Sequence, residues 1–409
     1  ISGVPESVRI RPDSNGMMTC TGLKAGAAGH AVVRAEIDGE PIASNPAWVR
    51  ENPDYRLYWG DLHIHSTFSN CNQWACKHPE FAYAFARDAA HLDFAAVADH
   101  LRGIAWEEER WPILQRLADE YCEPGRFVPF LAFESSHRTG KGGDNNAYFL
   151  DTDVPYFWLD REDMRGNNPD VALETLWEFL DNTGRTYVTV PHHTGRAMKY
   201  RRFDDDTYDP QRERFFEIYS GWGSSEMQFS QYPLCARNAS APAYFVDALK
   251  NGCRYGVIAS SDDHTTQPGA ETRNGGRPYG VECTAFYQHE GLTAVQAPEL
   301  TRESLWAGLV DRKTFATTHN RSLVEMTLGE GDVVMGDERM VEKTHPLRAA
   351  RSIEVNLAIA NDENVAVTLM RNGVPIAEEK SRAFGTVVFE DTDSLDAVRE
   401  GQRHRPLRV

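Results

Sequence analysis

The chain has 409 residues, 41% hydrophobic and 25% charged, an ordinary globular balance with room for two or three domains and a large buried core. Its 61 Asp and Glu outnumber 43 Lys and Arg, and a formal charge of −18 argues against general binding to nucleic acid or to an anionic membrane, since both need a net basic face. No apolar run approaches a membrane span, and the seven cysteines contain no Cys-x-x-Cys pair, so reduced thiols are expected rather than a disulfide framework.

The chain starts at Ile1 with neither Met nor a signal-peptide pattern, as expected of a trimmed or processed end, and carries no signal that separates a cytoplasmic from a periplasmic location or sets an oligomeric state. Residues 1–56 read as a small β-rich segment. Ser7 to Ile10 and His30 to Ile37 alternate with turn-rich stretches, and Asp38-Gly39 is a hairpin signal. Residues 57–320 alternate strand-like and helical runs. The expected strands cover 93–98, 127–133, 147–150, 187–190, 215–219, 255–260 and 281–287. The expected helices cover 79–90, 106–121, 171–181, 242–251 and 301–312. This alternation predicts an α/β fold with a largely parallel sheet, and a barrel is favoured because the polar motifs follow strands, where α/β barrels carry their sites. Residues 321–409 read as a β-sandwich-like domain, with strands over 324–328, 353–359, 365–370 and 385–389 and a turn at Asn372-Gly373.

The chemistry is concentrated at strand ends. Tyr58-Trp59-Gly60-Asp61-Leu62-His63-Ile64-His65-Ser66 puts two imidazoles two residues apart, on one face of an extended strand, with Leu62 and Ile64 facing the other way. A lone His-x-His is more often a solvent-facing pair. Here four further apolar runs end in candidate ligands: Ala98-Asp99-His100, Phe133-Glu134, Pro191-His192-His193 and Ser261-Asp262-Asp263-His264. Five such ends are hard to explain as separate surface groups. Imidazole and carboxylate donors suit zinc, manganese or iron, and their number exceeds the four that one zinc ion takes, so two or three divalent ions are expected.

Taken together, these residues resemble the PHP (polymerase and histidinol phosphatase) family. More narrowly, the chain is similar to an uncharacterised branch with a Tyr-Trp-Gly-Asp-Leu-His start, a Pro-His-His, a Ser-Ser-Asp-x-His and a late Thr314-Phe315-Ala316-Thr317-Thr318. The resemblance runs from about Leu57 to Gly336. It implies a distorted (β/α)7 barrel, a di- or trinuclear metal site and hydrolysis mostly of phosphoesters. By matching position, the implied ligands are His63, His65, His100, Glu134, His192, Asp262 and His264, with His193 a ligand or a neighbour of one. Cys71 falls where the family has His or Asp, and Asp144 where the branch has His; a thiolate and a carboxylate can both bind metal.

The expected reaction is attack by a metal-bridging hydroxide on phosphorus, with Asp262 positioning metal and water and His193 a candidate leaving-group acid. A C–N or carboxyl-ester hydrolase and a non-catalytic metal-binding barrel are the alternatives. Arg196, Lys199, Arg201 and Arg202 follow the fourth motif, Arg138 and Lys141 precede Asp144, and Arg273 and Arg277 follow the fifth. Sharing one mouth, they would bind a small anionic substrate, with Arg196 ranked first as nearest the metal motif. The bland alternative is a solvated loop balanced by Asp204, Asp205 and Asp206. Trp74, Trp106, Tyr200 and Trp222 are weaker candidates for a pocket wall. No nucleic acid or membrane is expected among the partners.

Overall fold

The N-terminal strands are short: β1 (Gly29–Ala31), β2 (Arg34–Ile37), β3 (Glu40–Ala43) and β4 (Ala47–Val49). β1 pairs with β4 and β2 with β3, both antiparallel. Asp38 and Gly39 close the second hairpin with φ of 53° and 88°, as a two-residue loop between twisted strands requires. Two expectations fail here. Ser7 to Ile10 is exposed and joins no ladder, because its alternation has no face to bury. The run His30 to Ile37 breaks at Val32-Val33, and its halves pair with different strands. The computed structural model describes the chain apart from residues 12–17, 70–75, 101–105, 158–170, 205–206, 235–237, 271–289, 319, 330, 332, 361–363 and 404–409.

The central stretch is mixed α/β. Its strands are β5 (Arg56–Ile64), β6 (Phe94–Val97), β7 (Val128–Ser136), β8 (Asp144–Phe149), β9 (Tyr187–Pro191), β10 (Phe215–Ser220), β11 (Gly223–Ser224), β12 (Gly256–Ala259), β13 (Leu292–Ala297) and β14 (Thr314–Thr317). Its helices are α1 (Pro79–Asp88), α2 (Trp111–Glu120), α3 (Leu173–Thr183), α4 (Phe245–Lys250) and α5 (Arg302–Val310). Seven strands form one sheet in the order β14-β13-β5-β6-β7-β8-β9, and three form another, β11-β10-β12.

The expected largely parallel sheet is in fact mixed. Among the described residues only β5–β6, β6–β7 and β10–β12 pair in parallel. β7 and β8 are joined by residues 137–143 alone, far short of the crossover that a parallel pair needs, so they form an antiparallel hairpin. Five helices accompany ten strands among the described residues, so the regular alternation of a (β/α)7 barrel is incomplete there. The strand expected over Val281 to Tyr287 lies outside the described residues. β13, which pairs with β5, was not foreseen.

Two apolar clusters flank the large sheet. One takes Trp59, Val97, Leu131, Phe133 and Phe149 from the strands with Tyr83, Leu117 and Leu176 from α1, α2 and α3. The other takes Leu62, Phe94, Phe130, Tyr148, Val190, Phe215 and Ile258. α1 forms because Pro79 suits a first turn, the His78 ring accepts the Glu80 N–H at 3.3 Å, and Ala82, Tyr83 and Ala86 make one buried face.

The last strands are β15 (Leu323–Leu328), β16 (Val333–Val334), β17 (Arg351–Ala358), β18 (Asn364–Arg371), β19 (Val374–Arg382) and β20 (Phe384–Asp391), followed by α6 (Leu395–Arg403). The sheet β16-β15-β17-β20 packs through Ile353, Val355, Leu357, Val387 and Phe389 against Val365, Val367 and Leu369 of the β18–β19 hairpin. The N-terminal stretch is tied to this region: Arg50 and Tyr55 both donate to the Glu325 carboxylate, and the His30 ring lies 5.7 Å from that of Phe384. No helix is long and apolar enough to cross a membrane among the described residues.

Candidate metal centre

Adjacent strand tips are tied together by backbone hydrogen bonds that continue past the ladders. Ala98 N–H donates to Ile64 O at 2.9 Å, Glu134 N–H to Asp99 O at 3.0 Å, His65 N–H to Asp263 O at 2.9 Å and His192 N–H to Asp144 O at 3.3 Å. Each bond involves a candidate ligand or its neighbour, so the tips are fixed relative to one another. Register also shifts between Asp61 and Ile64 where β5 meets β6. The irregularity sends Leu62 and Ile64 into different apolar clusters, contrary to the simple alternation read from sequence. His63 and His65 still stand side by side, ring centroids 5.0 Å apart.

Four sets of buried side chains have donor atoms within 4.8 Å of one another: Glu134, Asp144, His192 and His193; His63, His65 and Glu134; His63, His192 and Asp262; and His65, Asp262 and His264. They share members, so they form one continuous cluster. Glu134 lies at its middle. Its Oε2 is 2.9 Å from His100 Nδ1, 3.4 Å from His65 Nε2 and 3.7 Å from His63 Nε2, while its Oε1 is 3.0 Å from His192 Nε2. Asp262 Oδ1 is 3.0 Å from His65 Nε2 and 3.7 Å from His63 Nε2. On the far side, His193 Nε2 is 3.6 Å from Asp144 Oδ2, and Ser136 Oγ–H holds the other Asp144 oxygen at 2.6 Å. Asp262 and His193 both have positive φ, 50° and 31°, a conformation costing about 1–3 kcal/mol in a residue with a side chain. Cys71 lies outside the described residues.

The surrounding hydrogen bonds set which ring nitrogens carry protons. Asp99, fully buried, accepts from Ser66 N–H, Ser66 Oγ–H and Ser69 Oγ–H. With its own proton given to Asp99, Ser69 Oγ accepts from His100 N–H at 3.0 Å and from His65 Nδ1–H at 2.8 Å. The lone pair of His65 Nε2 therefore faces the carboxylates of Asp262 and Glu134. On His63, Nδ1 faces the buried Glu217 carboxylate at 3.1 Å, and Nε2 makes no hydrogen bond. Glu134 Oε2 meets His100 Nδ1 at 2.9 Å and faces His63 Nε2 at 3.7 Å. So many imidazoles and carboxylates converging in a dry interior are stabilised by a cation held among them. Divalent ions fit this donor set.

Electrostatics agree. Burial, then the neighbouring His264, push the His65 pKa well below its ordinary value, so a second proton does not fill the gap. His193 is likewise pushed well down by burial, by His192 and by Arg196. Burial opposes charge on Glu134 and Asp262, yet the surrounding imidazoles hold both well below the usual carboxylate range. At His63 burial is outweighed by Asp262 and Glu217, which raise it well above 6.5. Burial pushes Asp61 up to about 7 despite N–H donors from Ser261 and His63.

The cationic run after His193 divides. Arg196 is half-buried, with a guanidinium nitrogen 3.5 Å from His193 Nε2 and its plane over the Trp222 ring at 4.3 Å. Lys199 is half-buried, and burial lowers its pKa against the opposing pull of Asp144 and Glu134. Arg201, by contrast, is fully buried and forms a two-pronged pair with Glu213, and Arg202 pairs with Asp204. Neither is free to meet an anion, which corrects the expectation of a pocket built from all four. Arg201→Ala is expected to lower unfolding stability by about 3–5 kcal/mol through the stranded Glu213 charge, read from a urea titration. Arg138 and Lys141 are exposed on the β7–β8 loop, and Trp222 is buried. Arg273, Arg277, Trp74 and the Trp106 side chain lie outside the described residues.

Glu217 and Ser69 were absent from the site read in the sequence, where Asp99 stood only as part of the Asp99-His100 strand end. For Glu217 the signal was present: an acid inside the apolar strand Phe215-Phe216-Glu217-Ile218 needs a buried partner.

This is an α/β protein with a buried histidine–carboxylate cluster at its strand tips. No family model matches the chain. It is 24% identical over 344 residues to an uncharacterized protein of Chlamydia pneumoniae, covering 83% of this chain and 50% of that one. It is 26% identical over 305 residues to an uncharacterized protein of Chlamydia trachomatis, covering 72% and 45%. The chain thus spans about half the length of the curated relatives it matches.

Two solved structures are similar at low scores. One is a two-domain protein of Bacteroides vulgatus containing a predicted PHP-like metal-dependent phosphoesterase, with TM-score 0.41, 13% identity and coverage of 88% of this chain and 90% of that one. The other is Endonuclease Q in complex with a 27-mer duplex carrying an abasic lesion, with TM-score 0.34, 14% identity and coverage of 61% and 55%. The exclusion of nucleic acid drawn from net charge is withdrawn: this second structure was solved with a duplex substrate. Net charge sums the whole surface and does not describe the mouth of one site.

Proposed function

We propose that this chain is a metal-dependent phosphoesterase of the PHP type, with residues 57–320 as the metal-binding barrel and 1–56 and 321–409 as flanking units. The observation that carries the reading is the convergence of His65 Nε2 on Asp262 Oδ1 at 3.0 Å and on Glu134 Oε2 at 3.4 Å inside a fully buried cluster. We assign His63, His65, His100, Glu134, Asp262 and His264 to one part of the centre and Glu134, Asp144, His192 and His193 to the other, with Cys71 an untried candidate. Divalent ions held there would lower the pKa of water toward 7 and polarise a phosphoryl oxygen.

The chain's own groups then divide the remaining work. Asp262, held unprotonated, orients a water from the strand tip. Arg196 and Lys199 take the non-bridging oxygens of the substrate beside His193. His193 is assigned as a donor to metal rather than a leaving-group acid, since burial and Arg196 oppose its protonation.

The test is a panel of aryl phosphomonoesters, phosphodiesters, carboxyl esters and lactams with Mn²⁺ or Zn²⁺. Turnover of the phosphoesters is expected, and turnover of only the esters and lactams would sink the reading. In the same assay Arg196→Ala is expected to raise KM roughly tenfold or more with a smaller change in kcat, as loss of a charged hydrogen bond made in both ground and transition states does.

A further inference from the structure

The platform under Arg196 is not held by the central sheet alone. Thr194 Oγ–H donates to Ala243 O at 2.6 Å, and Ala239 N–H donates to Gly195 O at 2.7 Å. The Tyr244 ring lies directly on Gly195, where a Cβ would come within 2.4 Å of it. Tyr244 belongs to a small apolar cluster with Trp222, Leu234 and Val246, and Trp222 is the ring on which Arg196 lies.

The C-terminal hairpin closes that cluster from outside. Register shifts in β18 between Leu369 and Met370. Leu369 packs into its own β-sandwich, while Met370 packs on the Trp222 cluster. Successive residues of a strand face opposite sides, so the hairpin gives one face to each neighbour. At the turn, Gly373 has φ of 73°, and a Cβ there would stand 2.6 Å from Val246 O. The hairpin tip thus seats backbone to backbone on the first turn of α4.

We propose that the tip of the β18–β19 hairpin is a positioning element for substrate binding: Met370 and Gly373 hold the Trp222–Tyr244 platform, and the platform holds the Arg196 guanidinium beside the metal cluster. The inference rests on the reading of Arg196 as an anion-binding residue. It gives the C-terminal unit a part in the site although it supplies no ligand.

The experiment measures the affinity of the Mn²⁺-loaded full chain for inorganic phosphate by calorimetry, together with Mn²⁺ affinity. Met370→Ala is expected to weaken phosphate binding about threefold to tenfold and to leave Mn²⁺ binding unchanged. Gly373→Ala, which forces the tip off Val246, is expected to do the same, and the exposed Val388→Ala serves as control. Arg196→Ala is expected to weaken phosphate roughly tenfold or more. Adding Met370→Ala to Arg196→Ala is expected to cost nothing further, since both act through one group. The inference is overturned if Arg196→Ala loses phosphate while both hairpin variants bind it as wild type, or if the losses simply add. An Arg196→Ala protein that binds phosphate normally would overturn the anion-pocket reading itself, and the hairpin's role with it.

Discussion

Glu134→Ala is expected to strip metal from both donor sets that Glu134 belongs to, and to lower any hydrolytic activity by roughly a thousandfold or more, the several kcal/mol that metal-assisted charge stabilisation supplies. The argument is geometric. One oxygen of Glu134 faces His63, His65 and His100, and the other faces His192. Among the donor sets, Glu134 joins the one containing Asp144 and His193 to the one containing His63 and His65. His264 belongs to a single set, so His264→Ala should cost metal on one side only. Elemental analysis of both variants, purified without added metal, separates the cases. Glu134→Gln keeps the volume but cannot bridge two cations with one charge, so it should lose metal like the alanine variant. A Glu134→Ala protein with full metal content would end the idea of a shared carboxylate. The backbone bond from Glu134 N–H to Asp99 O survives all these changes, so the tip itself should stay in place.

The second large effect is expected at Glu217, which touches no metal-facing nitrogen. Removing a carboxylate that orients a liganding imidazole typically costs about 10–100-fold in metal affinity, and Glu217→Met should fall in that range. The pH dependence separates orientation from mere packing. In the metal-free protein His63 is raised by Asp262 and Glu217 against the lowering effect of burial, so a proton competes with metal for Nε2 as pH falls. Without Glu217 that pKa drops, and proton competition should begin at lower pH, even though affinity at high pH is weaker. Glu217→Gln, which keeps an oxygen for Nδ1–H, should recover part of the affinity but show the same acid shift. A Glu217→Met protein whose metal uptake keeps the wild-type pH profile would reduce Glu217 to a buried structural acid.

The strand tips were legible in the sequence because each is an apolar run that stops at an acid or an imidazole. Burial of the run and convergence of its polar end are one event in a sheet, so Asp99-His100, Glu134, His192-His193 and Asp262 to His264 could be placed without coordinates. The hidden parts depend on contacts between distant segments. Arg201 reads as one more cation in a basic run, and only the fold brings Glu213 to it. β13 is buried on both faces, so Leu292-Thr293-Ala294-Val295 shows no period of two, and the Thr293 hydroxyl is satisfied by Ala259 O at 2.6 Å. Glu217 points into the core from mid-strand, where the sequence reading looked only at strand ends.

The β7–β8 pairing sets Ser136 opposite Asp144 and Glu134 opposite Asn146. Asp144 and Glu134 thus reach the same cavity from two strands of one hairpin, and residues 137–143 between them fix their phase. Side chains in a strand change face at every step. Adding or deleting one residue within 137–143, where the loop cannot absorb it, would slip the pairing by one and turn Asp144 and the rest of β8 to the wrong face. Length variation among natural relatives should therefore be rare in this loop, and where found should come in steps of two or with a compensating bulge. A segment with no candidate ligand of its own thereby inherits the evolutionary constraint of a site it does not line.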